Sequence, residues 1–273
     1  MLFDSLIIIF FVYSILGYIS EVIYCSIGQR HLVNRGFLYG PWLPIYGFGG
    51  VVVKIFLEPL APIAVWGPIL VFILSMVLTS IIEYIGSWAL EKAFSIKLWD
   101  YSKKKVNING RVCLLNSTLF GIGGLAITYL INPLLENLIA KIPLLVQRFS
   151  ADIIIIVLSL DFIMSCVKMN AVKSILEDIR VKGAEIEHKY KLLIKQGKEE
   201  LAKEYREKLL FDLDKMKESA SLKARRILRS FPTCTSCNAE IAKQLESIRG
   251  WIKDAKAHIE NARNDLKGVG NGR

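Results

Sequence analysis

Apolar positions in this chain gather into long blocks instead of alternating with polar ones. Blocks at about 5–25, 38–57, 66–90, 112–131 and 151–170 hold few charges and run to roughly 20 residues, enough helix to cross a hydrocarbon core about 30 Å thick. None shows the period-two alternation of a membrane barrel, so each is expected as a helix, which satisfies its own backbone in lipid. Beyond residue 170 the pattern changes: charges of both signs interleave and apolar residues recur about every four positions up to 229, as in one long exposed helix. After "SFPTCTSCN", positions Ile241, Leu245, Ile248, Ile252, Ala255, Ile259, Ala262 and Leu266 alternate four and three apart, the spacing of a coiled-coil seam. The expected fold is all-α: a polytopic helical membrane bundle of about five spans over 1–170, then a cytoplasmic long-helix/coiled-coil hairpin over 171–273.

Charge gives the bundle a direction. Residues 1–170 carry 12 Lys/Arg and 9 Asp/Glu, leaving 23 of 35 and 16 of 25 for the tail. Arg30 and Arg35 follow the first block, and Lys92, Lys97, Lys103, Lys104, Lys105 and Arg111 follow the third, whereas the opposite side has only Lys141 and Arg148. Basic loops stay inside, so the amino terminus is expected outside and the carboxyl tail in the cytoplasm. Asp4 stands where a secretory signal would be basic, and no small-residue cleavage site follows, so the first block is expected to be a retained span. The basic tail is too rich in interspersed acids, and too bare of recognition modules, to suggest nucleic acid.

"VNRGFLYGPWLPIYGFGG", residues 33–50, concentrates glycine and proline where the chain enters its second block. Dipping in and returning would place Lys103, Lys104 and Lys105 outside, so a true crossing with a broken cytoplasmic half is expected. Pro41 and Pro44 lack amide donors, and the carbonyls they free need protein or a wet cavity. "NPLLENLIAKIPLLVQRFS", 132–150, reads as an interrupted amphipathic piece at the outer interface.

Three acids sit at depths where charge is costly: Glu21, Glu83 and Asp161. Pairing with a basic loop residue or a helix amide would make them structural, an equal prospect for Glu21 and Glu83; the central depth of Asp161 tilts it toward function. The inner loops add Asn34, Arg35 and Tyr39, then Trp99, Asp100, Tyr101, Asn107, Asn109 and Arg111. Their aromatics suit an interfacial belt, and Asn109-Gly110 suits a positive-φ turn. The Asn and Arg residues are denser than an interface needs, and with Glu21, Glu83 and Asp161 they make a candidate cytoplasm-facing polar site.

Cys25, Cys113 and Cys166 lie in or beside apolar blocks as small hydrophobes. Cys234-x-x-Cys237 is half a zinc site, to be completed only across two chains; otherwise it is a hairpin turn with two reduced thiols. No nucleophile–base or metal spacing points to catalysis, no phosphate-binding loop is present, and no cofactor is expected.

"EVIYCSIGQRHLVNRGFLYGPWLPIYGFGG" and "EYIGSWALEKAFSIKLWDYSKKKVNINGRVCLLNS" resemble the bacterial membrane-protein family called putative ABC-transporter type IV, or CmpB, over about residues 5–170. The resemblance implies a permease subunit working with a separate ABC ATPase in the bacterial cytoplasmic membrane. It also marks as signature positions Glu21, Asn34, Arg35, Gly36, Tyr39, Gly40, Pro41, Tyr46, Gly47, Glu83, Trp99, Asp100, Tyr101, Asn107, Asn109, Gly110 and Arg111. The alternative is a membrane-anchored scaffold or signalling subunit whose coiled-coil tail recruits a partner or a second copy.

Overall fold

The computed structural model describes residues 2–29, 36–63 and 65–196, with isolated positions at 201, 215, 230, 235 and 236. The chain divides into two compact units, one of Met1–Val167 with Arg229–Cys234 and the other of Lys168–Leu228 with Thr235–Arg273. Of the expected tail, helix is described to Lys195. The coiled-coil seam and Cys234 and Cys237 lie outside the described residues, as do Asn34 and Arg35 in the first loop.

Among the described residues six α-helices succeed one another: α1 (Leu2–Gln29), α2 (Pro44–Val52), α3 (Trp66–Phe94), α4 (Leu114–Ala126), α5 (Asn132–Ile139) and α6 (Leu144–Lys195). Four described stretches are long and apolar enough to cross a membrane: Phe3–Ile27, Trp66–Phe94, Leu114–Ile139 and Leu144–Ser174. Their outward faces are apolar. On α3 the residues Ile69, Ile73, Val77, Ile81 and Ile85, at a spacing of four, are all exposed, the stripe a helix turns toward lipid.

The second expected block is not a fifth long helix. Residues 36–43 are non-helical, and α2 has only 9 residues before a wide π turn, Val53–Leu57, and a 3-10 turn, Glu58–Leu60. The cause is local: Pro44 opens α2 at the first helical positions, where its missing amide costs nothing, and Pro41 lies in the non-helical run before it. Nevertheless the segment runs alongside its neighbours throughout. Phe37 stacks near Phe94, Gly86 lies by Ile45 and Gly49 by Thr79, so residues 37–49 run antiparallel to α3. Tyr46 packs on Gly17 and Gly47 on Ser14 and Phe10, so they are antiparallel to α1 as well. A Cβ on Gly47 would strike the Phe10 carbonyl oxygen at 2.7 Å, which is why the α1–α2 contact needs glycine there.

The expected interfacial piece at 132–150 is also absorbed into helices. A π turn at Ile127–Ile131 passes directly into α5, so the helical stretch begun at Leu114 reaches Ile139 through Asn132-Pro133. Pro133 falls at the first positions of the new helical segment, where no amide is required. α6 then begins at Leu144, seven residues before the expected block, and Gln147 donates from Nε2 to the Ile139 and Ile142 carbonyls, covering the end of α5. The core gathers where α1, both π turns, α3 and α5 meet: Ile9, Tyr13 and Ile139 in one cluster, Val53, Leu57 and Val71 in another.

A short β-hairpin separates α3 from α4. Asn107–Ile108 pairs antiparallel with Val112–Cys113, closed by Asn109 at φ 53 and Gly110 at φ 65. Two successive positive φ values are the mark of a type I′ hairpin turn.

Candidate functional site

The sequence candidates separate into three groups. The first surrounds a cavity of about 600 Å³ among α1, α2, α3 and α4, whose lining includes Glu21 and Glu83. Two tyrosines hold these acids: Tyr46 Oη donates to Glu21 Oε2 at 2.6 Å, and Tyr101 Oη donates to Glu83 Oε1 at 3.2 Å. Cys25 Sγ also lies 3.6 Å from Glu21 Oε1. Glu83 is 5% exposed, and its Oε2 has no hydrogen-bond partner among the described residues. Beyond the acids the wall is largely small and apolar, with Gly49, Gly50, Gly123, Gly124, Ile127 and Ile131. Lys104 and Asn116 also contribute to the lining.

The second group is the hairpin loop, and its polar residues bond mainly to one another. Asn107 Oδ1 accepts from the Gly110 amide at 2.9 Å and its Nδ2 donates to the Lys104 carbonyl at 2.7 Å. Trp99 Nε1 donates to the Arg111 carbonyl at 3.1 Å, and Asn109 Nδ2 to Tyr84 Oη at 2.9 Å. Arg111 forms an ion pair with Glu91 on α3, the two side chains only 15% and 13% exposed, and its guanidinium lies 5.4 Å from the Tyr84 ring centre. Burial disfavours the Asp100 carboxylate, but the Ser102 amide at 3.0 Å and Lys97 at 3.3 Å outweigh it and hold its pKa below the ordinary aspartate value.

The third group is Asp161 on α6, 6% exposed. Its Oδ1 accepts the Tyr39 amide at 2.8 Å and the Ser165 hydroxyl at 3.3 Å; its Oδ2 accepts the Gly40 amide at 2.8 Å and the Trp42 indole at 3.0 Å. A non-helical run has amides in need of acceptors, and this carboxylate supplies them. Tyr39 enters through its backbone. Asp161, Tyr39, Trp99, Asp100, Asn107, Asn109 and Arg111 are not among the residues lining the cavity.

Pattern reading missed a fourth cluster, at the other end of α2. Lys54 in the π turn pairs with Glu58 at 3.1 Å and with Glu136 of α5; Asn132 Nδ2 donates to Glu58 at 2.8 Å, and Tyr13 Oη donates to Asn132. Asn132 is 1% exposed. A lysine four residues before a glutamate, at the end of an apolar block, was the available signal.

Long helices with apolar outer faces, packed around a largely apolar cavity, fit a component of a membrane transporter. Residues 8–166 match the family described as Putative ABC-transporter type IV, and the chain belongs to it. No curated protein and no solved structure matches the chain.

Proposed function

We propose that this chain is the permease-like component of an ABC transporter, with its solute site in the cavity between Glu21 and Glu83 and a separate ATPase as partner. On this reading residues 1–170 cross the bacterial cytoplasmic membrane several times, with the amino terminus outside. The 36–43 run begins the crossing that α2 continues, and the basic tail, 171–273, lies in the cytoplasm. One observation carries the proposal: Glu83 is buried at the cavity wall with an unused acceptor, an arrangement that costs stability unless something occupies the cavity. Family membership and the bias of basic residues to one set of loops support it. The broken second segment adds to it, because its helical part lines the cavity with Ile45, Tyr46, Gly49 and Gly50, and broken helices at solute sites are a recurrent feature of transporters.

The test is purification of the intact chain from its native membrane in mild detergent, with identification of stoichiometric partners. The expected result is a nucleotide-binding ATPase whose turnover requires this chain and falls in Glu83→Gln at equal membrane level. Recovery of a soluble partner that disappears when 180–270 are deleted, with no ATPase, would instead establish the scaffold reading.

A further inference from the structure

The cavity's chemistry narrows what it can hold. Glu21 and Glu83 both bring carboxylates to its lining, while Lys104, also in the lining, is a solvent-exposed residue. Glu83 has no Lys or Arg partner among the described residues, and only one of its oxygens is bonded. An anion would meet a buried carboxyl group with no basic partner among the described residues, and a purely apolar guest would leave Glu83 as costly as before. A bare metal ion fits no better: calcium or magnesium needs about six to eight oxygens, and no metal-holding group of His, Cys, Asp and Glu occurs among the described residues. The remaining lining, with Tyr46, Phe120 and the glycine-rich wall of Gly49 and Gly123, offers aromatic rings and an apolar trough. A volume near 600 Å³ lies within the range of sites that enclose drug-sized molecules.

We propose that the cavity binds a lipophilic organic cation, its positive head against Glu83 and Glu21 and its apolar body along the Gly49–Gly123 wall. This inference rests on the reading of the cavity as a solute site and names the class of solute. The positive charge of the head offsets the Glu83 carboxylate electrostatically beside the tyrosines of the lining, and the body displaces water from apolar walls.

Equilibrium binding of radiolabelled tetraphenylphosphonium to the full chain in lipid nanodiscs tests it, with radiolabelled tetraphenylborate, of the same shape and opposite charge, assayed in separate samples. Saturable binding is expected for the cation and not for the anion. Glu83→Gln keeps the size of the side chain and an acceptor for Tyr101, and should weaken binding about tenfold or more. Gly123→Leu keeps both acids but fills the cavity, at a position where an added Cβ meets nothing within 4 Å, and should weaken binding comparably. Non-saturable uptake of the cation, equal saturable binding of the anion, or unchanged affinity in either variant overturns the proposal. The two readings separate cleanly. ATPase turnover that depends on this chain without phosphonium binding leaves transport standing and removes the cation; saturable cation binding with no ATPase partner does the reverse.

Discussion

Asp161 and Glu83 are buried to almost the same degree, 6% and 5% exposed, yet they are used in opposite ways. Asp161 spends both oxygens on four donors, three of them in residues 39–42. Glu83 accepts from one phenol and leaves its second oxygen unused at a cavity wall. Burial alone therefore does not separate the two acids; the fraction of their acceptors already satisfied does. On the proposed reading the saturated carboxylate holds the fold together, and the unsaturated one is left to meet a guest.

The largest expected effect is at Asp161. Asp161→Leu should strip acceptors from two amides and an indole, at about 1–3 kcal/mol for each buried donor, and collapse the melting temperature of the detergent-purified protein. Asp161→Asn, which keeps one acceptor oxygen, should fall between; a wild-type melting curve for Asp161→Leu would break the comparison outright. Arg111→Ala comes next, because it removes a largely buried ion pair and a ring contact at about 1–3 kcal/mol, visible as faster proteolysis within 95–113. Gly110→Ala should cost about 1 kcal/mol, since it places a Cβ at φ 65 against the Asp100 carboxylate.

Acid should act more weakly. The folded pKa of Asp100 is depressed, so its contribution is present above the ordinary value of 3.8 and is lost as pH falls through the lower folded value. Acid titration of amide exchange in the hairpin should show loosening only below that value; loosening near neutrality would assign the loop to another group. Smallest of all is the stability change in Glu83→Gln, expected within about 1 kcal/mol of wild type or slightly stabilising, while ligand binding weakens about tenfold or more. A large destabilisation there, matching Asp161→Leu, would erase the distinction between the two acids.

Much of this was legible in the sequence. The acids at 21, 83 and 161 announce themselves against apolar surroundings, Pro41 and Pro44 mark the broken segment, and Asn109-Gly110 marks its turn. What pattern reading lacks is the partner. Asp161 meets amides, which no residue type advertises, and Tyr46 and Tyr101 look like belt aromatics until their hydroxyls are found on Glu21 and Glu83. The continuation of helix through Asn132-Pro133 was hidden for a different reason: a proline breaks a regular helix, but a π turn just before it resets the hydrogen-bond register. The Lys54–Glu136 pair joins segments 82 residues apart, a separation no local spacing encodes.

The Asp161 bridge also sets an order in time. Tyr39 and Asp161 stand 122 residues apart in the chain, so at roughly 5–20 residues per second of synthesis the 39–42 amides wait on the order of 6–24 seconds for their acceptor. Until α6 emerges, those donors must be covered by water, by the insertion machinery or by a chaperone. The first half of the bundle thus depends for its final shape on its last apolar helix to be made, and a nascent chain stopped before residue 161 is the natural substrate for membrane quality control.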